Sequence, residues 1–89
     1  MREGVFIISN TLGFHARAAA RFVKVANAFE CEVSVYRDGE RANGKSILGL
    51  LTLAAAKGTA LKVVADGKDE AAALSSLRQL IEGKFGDEQ

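Results

Sequence analysis

The stretch Cys31-Glu32-Val33-Ser34-Val35-Tyr36-Arg37-Asp38-Gly39-Glu40 decides which kind of sheet this chain can build. Cys31, Val33 and Val35 fall on one face and Glu32, Ser34 and Tyr36 on the other, the two-residue period of a strand buried on one side. Asp38-Gly39 then supplies the left-handed backbone that a two-residue hairpin needs, and a short return strand follows over residues 40–43. A strand with one wet face belongs to an antiparallel sheet, because parallel sheets are covered on both faces and read as continuous apolar runs.

The flanking elements are read outward from that hairpin. Upstream, Val5-Phe6-Ile7-Ile8 is β-branched and aromatic, is closed by Ser9-Asn10-Thr11, and predicts a first strand. From Ala16 to about Phe29 the residues Ala16, Ala19, Phe22, Val23, Ala26 and Phe29 share one side of a helix, with Arg17, Arg21 and Lys24 opposite. Downstream, Ser46 is a natural N-cap for an apolar helix from Ile47 to about Leu53. Residues 59–66 read as a strand ended by Asp66-Gly67. The last helix begins near Asp69-Glu70, acids that suit the positive end of its dipole. It buries Ala73, Leu74, Leu77, Leu80, Ile81 and Phe85, and is expected to stop at Gly86. The order βαββαβα with hairpin-length links predicts an α+β open-faced two-layer sandwich, a four-stranded antiparallel sheet with three helices on one face.

Composition bounds the rest. Eighty-nine residues, 48% of them apolar, make one domain over 1–89 with a single core. Fifteen are Ala, which favours helix and close packing over a thick core, so modest stability is expected. Twelve Lys+Arg against eleven Asp+Glu give a net charge of +1. There is no charged tail for a nucleic acid or a membrane surface to grip. The one Cys excludes an internal disulfide and a cysteine-built zinc site, and Cys31 reads as a small buried hydrophobe. No apolar run is long enough for a membrane span or a signal-peptide core, so a cytoplasmic domain without metal or organic cofactor is expected.

His15, the only histidine, stands where the Gly13 turn hands over to the first helix. A helix N-terminus offers unpaired N–H groups and a partial positive charge, which favour an anion and a neutral, nucleophilic imidazole. A phosphoryl group on that ring would meet the same N–H groups, the Ala16 amide among them. Arg17 could grip its oxygens through charge-assisted bonds of roughly 1.5–3 kcal/mol each. The plainer reading is a surface His near a helix cap with a cation close by. The neighbouring sequence decides between them.

Gly13-Phe14-His15-Ala16-Arg17-Ala18-Ala19-Ala20 closely resembles the Gly-Leu-His-Ala-Arg-Pro-Ala signature of the HPr family, the phosphocarriers of the bacterial phosphoenolpyruvate-dependent phosphotransferase system. Asn43-Gly44-Lys45-Ser46-Ile47-Leu48-Gly49-Leu50-Leu51-Thr52-Leu53 resembles the family's regulatory-serine block at the family's separation from the first motif, and length and element order agree over essentially the whole chain. The resemblance implies that His15 takes a phosphoryl group on Nδ1 from phosphorylated enzyme I and passes it to a histidine of an enzyme IIA domain. The chain would then be a stoichiometric relay and not a turnover enzyme, with Arg17 steadying the phosphate and a monomer expected. Phe14 stands where Leu is usual and Ala18 where Pro is usual. Ala18 should alter local rigidity more than chemistry, and Phe14 would reshape the apolar rim that partners touch. For Ser46, capping alone explains the residue; the resemblance adds phosphorylation by an HPr kinase/phosphorylase, which would add charge beside a docking surface. Ile47, Leu48 and Leu51 are either ordinary core or part of that surface, which the family forms together with Lys45 and the basic side of the first helix. Arg17, Arg21 and Lys24 would then steer acidic partners; otherwise they are a solvated face.

Two rival classes meet the same residues. Gly39-Glu40-Arg41-Ala42-Asn43-Gly44-Lys45-Ser46 fits the P-loop pattern letter for letter, between a strand and a helix. Yet its strand alternates instead of being continuously apolar, and the 43 residues after Ser46 are too few for a doubly wound nucleotide-binding domain. A small RNA-binding module would need exposed aromatics among basic residues on the sheet, and Tyr36 beside Arg37 is the only hint.

Overall fold

A computed structural model describes residues 1–87. The elements run β1 Arg2–Ile7, α1 Ala16–Asn27, β2 Glu32–Arg37, β3 Glu40–Asn43, α2 Ile47–Thr52, β4 Ala60–Asp66 and α3 Glu70–Glu82, closed by a 3-10 turn at Lys84–Gly86. Asp38 and Gly39 have φ of 49° and 84°, both left-handed. Arg37 therefore pairs directly with Glu40 across a two-residue turn. The sheet order is β1-β4-β2-β3 with every neighbouring pair antiparallel. The last strand is laid between the first two, opposing Phe6 to Leu61 and Val35 to Val63.

Strand alternation settles which face is covered. Leu61, Val63 and Ala65 of β4, Val33 and Val35 of β2 and Ala42 of β3 are buried with Ala18, Ala19, Phe22 and Ala26 of α1, Leu50 of α2, and Ala73, Leu77 and Ile81 of α3. Each large apolar side chain so buried contributes about 1.5–3 kcal/mol. The other face stays open and carries Val5 and Ile7 exposed. Its aromatic, Tyr36, has the Lys62 ammonium 4.9 Å from its ring centre, so a charged neighbour already covers it. No helix among the described residues is long and apolar enough to cross a membrane.

Two local expectations need correction. Ala18, not Ala16, belongs to the buried side of α1; Ala16 lies in the first turn and is exposed. The last helix stops at Glu82 with Gly83 as its cap, short of Gly86. Beyond it Lys84 and Phe85 take left-handed φ of 57° and 54°, which turns the fully buried Phe85 into the core. Burial of one large ring outweighs continuation of the helix and the backbone strain of that turn. In keeping with the alternating strand, residues 39–46 make no phosphate cradle: Glu40–Asn43 is a paired strand and the Lys45 ammonium donates to the Phe29 carbonyl at 2.7 Å.

Candidate functional site

The loop between β1 and α1 is fastened before it reaches the helix. Ile8 N–H donates to the Thr59 carbonyl at 2.9 Å, Gly13 N–H to Asn10 at 3.2 Å, and Phe14 N–H to Ala55 at 2.8 Å. Gly13 has a φ of 66°, and a Cβ there would lie 2.5 Å from the Ala55 oxygen. Glycine is thus required for this close approach. The chain leaves it extended, and His15 becomes the N-cap of α1 with φ −84° and ψ 178°. Its carbonyl accepts the first helical bond from Ala19 at 2.9 Å, which leaves the amides of Ala16, Arg17 and Ala18 as the first-turn donors.

The imidazole itself does the capping. His15 Nδ1 accepts from the Arg17 amide at 3.3 Å, while Nε2 lies 2.5 Å from Asp87 Oδ2. An accepting Nδ1 has its lone pair toward the helix, so by this hydrogen-bond network the ring proton sits on Nε2 and is given to the carboxylate. The His15 side chain is 22% exposed and open to an incoming group, whereas that of Asp87 is 9% exposed.

Asp87 is held from three sides. Its Oδ1 accepts from Arg21 Nη1 at 3.0 Å and its Oδ2 from Asn10 Nδ2 at 3.3 Å. Arg21 Nη1 also donates to the Phe85 carbonyl, and Asn10 Nδ2 to that of Gly13 at 2.8 Å. The hydrogen bond from His15 holds the Asp87 carboxyl below the usual carboxylate range, against partial desolvation and with help from the charges of Arg21 and Arg17. The turn that delivers it is anchored by Phe85, which stacks on Phe14 at 5.4 Å and 29°; Phe14 meets Phe22 edge-on at 5.6 Å.

That anchoring corrects one expected docking residue. Phe14 is only 5% exposed and cannot form an apolar rim, because Gly13 folds it back between Phe22 and Phe85. Arg21, its side chain still 40% exposed, also holds the C-terminal turn, and the half-buried Lys45 holds the end of α1. Arg17 and Lys24 are exposed, as are Ile47 at 41% and Leu48 at 76%, while Leu51 packs against the core. Ser46 caps α2, its Oγ accepting from the Gly49 amide at 3.0 Å. Burial and the neighbouring Asp69 push the Cys31 thiol up, consistent with a small inert hydrophobe. No group of three or more His, Cys, Asp or Glu side chains that could hold a metal occurs among the described residues. Asp87 and Asn10 escaped the sequence reading, since no spacing rule links a residue to a partner 72 positions away.

Comparison with known proteins agrees with this geometry. Residues 3–83 match the family model described as PTS HPr component phosphorylation site. The phosphocarrier protein HPr of Neisseria meningitidis is 48% identical over 87 residues, covering 98% of this chain and 97% of its own length. The solved structure of HPr-C-His from Thermoanaerobacter tengcongensis superposes with a TM-score of 0.95 at 42% identity, covering all of both chains. An HPr dimer from that organism gives 0.78 at 41% identity, covering 98% of this chain and all of the other. A lone imidazole capping the first helix, in a fold and a sequence shared nearly end to end with these proteins, assigns the chain to the HPr family, the phosphocarriers of the phosphotransferase system.

Proposed function

We propose that this chain relays phosphoryl groups stoichiometrically: His15 receives one from phosphorylated enzyme I and yields it to a histidine of an enzyme IIA domain, without turning over a substrate of its own. One observation carries the reading. His15 Nδ1 accepts from the Arg17 amide, which aims its lone pair at the mouth of the α1 N-terminus, while the opposite nitrogen faces the Asp87 carboxylate. In the transfer that lone pair forms an N–P bond as the donor's P–N bond breaks and its electrons return to the donor ring. The charge on the phosphoryl oxygens then meets the Ala16 amide, the Arg17 amide freed from Nδ1 as its lone pair is consumed, and the exposed Arg17 guanidinium. The His15 side chain is 22% exposed, so the group stays available to the next protein.

Ile47 and Leu48 beside Ser46, with the cations Arg17 and Lys24, form the docking surface of this reading, and Leu51 supports it from beneath. Apolar residues ringed by cations suit an acidic partner with an apolar centre. A phosphate on Ser46, added by an HPr kinase/phosphorylase, would keep the α2 cap while putting negative charge on that surface. The relay acts as a monomer. Light scattering that returns a dimer at working concentration removes that part alone.

The test is incubation with phosphoenolpyruvate and purified enzyme I, followed by mass spectrometry. An acid-labile, base-stable phosphoryl adduct is expected on wild type and absent from His15→Ala. A stable adduct on that variant would overturn the reading. Arg17→Ala should slow transfer without loss of fold, and an unchanged rate removes Arg17 from the site.

A further inference from the structure

We infer that Asp87 is a positioning residue for the phosphoryl chemistry: its carboxylate pins the His15 proton on Nε2 and thereby makes Nδ1 the nitrogen that is phosphorylated. The inference rests on His15 reacting through Nδ1 and adds what selects that atom. A neutral imidazole has two nitrogens, and whichever lacks the proton is the nucleophile. Here Asp87 Oδ2 lies 2.5 Å from Nε2, and the acceptor on that side bears a charge that a proton on Nε2 satisfies. The carboxylate cannot swing away freely, since Arg21 holds Oδ1 at 3.0 Å and Asn10, fully buried, reaches Oδ2 at 3.3 Å. The backbone behind it is fixed as well, because Phe85 is buried against Phe14 and its carbonyl is held by Arg21. Two segments from opposite ends of the chain therefore meet at one ring.

The step balances without further reactants beyond the phosphoryl donor. The Nδ1 lone pair forms the N–P bond, the donor's P–N bond breaks, and the Nε2 proton stays where it is, opposite Asp87. Positive charge that develops on the ring as Nδ1 is consumed faces the carboxylate that already accepts its N–H.

The test reads the ring directly. Long-range proton–nitrogen correlation spectra of the full-length, 15N-labelled protein report the tautomer of His15 with no donor present. Phosphoramidate, which transfers its phosphoryl group to imidazole and leaves as ammonia, then reports the reacting nitrogen without enzyme I. Wild type should carry its proton on Nε2 and take phosphate on Nδ1. In Asp87→Ala the proton should redistribute toward Nδ1 and the share of Nε2 adduct should rise by at least roughly tenfold, the low end of what one charge-assisted bond is worth. Asp87→Asn, whose amide can donate to Nε2, should shift the tautomer further. Arg21→Ala, which leaves the α1 cap intact, should shift both readouts the same way to a smaller extent, and it decides the matter should the Asp87 variants not hold their fold. An unchanged tautomer and an unchanged adduct ratio in folded variants overturn the inference. Because the tautomer is read without a donor, this outcome is independent of whether enzyme I charges His15.

Discussion

Two helices of this molecule, α1 and α2, are each capped by a residue that the proposed phosphoryl chemistry would use, and they are built in opposite ways. At the α2 end everything is local: Ser46 caps with its own hydroxyl, its acceptor contact is three residues on, and the next two side chains, Ile47 and Leu48, are left to solvent. At the α1 end His15 caps with one ring nitrogen and surrenders the other to a carboxylate 72 positions away, itself tied to Arg21 and Asn10. A local cap tolerates a change in its own charge, because nothing distant leans on it. A cap wired across the fold ties the state of its ring to the packing of the chain's far end.

The comparison is broken most completely by His15→Ala. All acid-labile labelling should vanish while any label on Ser46 persists, and the fold should lose only the cap, about 1 kcal/mol by urea titration. Next in size is Phe85→Ala, which removes a fully buried ring and should cost about 3–5 kcal/mol. It should also release Asp87 and so disturb the His15 tautomer. Leu48→Ala, its counterpart beside Ser46, should stay within about 0.5 kcal/mol in stability yet weaken docking to the phosphoryl donor. Ser46→Ala should cost about 1 kcal/mol, whereas Ser46→Asp should match wild type to a few tenths because Asp caps as well as Ser. That acidic variant should nevertheless accept phosphate more slowly from its protein donor.

The smallest difference is in pH dependence. The folded-state pKa of Asp87 is depressed, so its contribution is fully present above the ordinary carboxylate pKa of about 3.9 and is lost as pH falls through the folded value. The groups facing it are His15, Arg21 and Arg17. Asp69 and Glu70 are depressed too, by the amides of Glu30 and Cys31 and by the N-terminal ammonium, so acid weakens the fold at several points. Denaturant midpoints from pH about 5 to about 2 should therefore fall less steeply for Asp87→Asn than for wild type. Identical slopes would detach Asp87 from its charged neighbours. The α2 cap has no carboxylate and should add nothing to this slope.

The same contrast explains what could be read from the residues alone. Strand alternation at 31–36 and the Asp38-Gly39 turn depend on neighbours in sequence, and both the hairpin and the antiparallel sheet followed from them. Ser46 as a cap was legible for the same reason, and so was His15, because it sits at the border between a turn glycine and a helical period. Phe14 was misread since an apolar residue before a site looks alike whether it faces solvent or core. Only the arrival of Phe85 tells them apart. The second contacts of Arg21 and Lys45 are invisible in the sequence, because carbonyls of distant residues leave no mark in a pattern of side chains. The stop of α3 at Gly83 yielded to the burial of one ring, a tertiary effect with no local signature.

The C-terminal turn has a practical consequence for anyone handling the protein. Asp87 touches the reactive ring, so a bulky label attached at that position would crowd the very visitors being assayed.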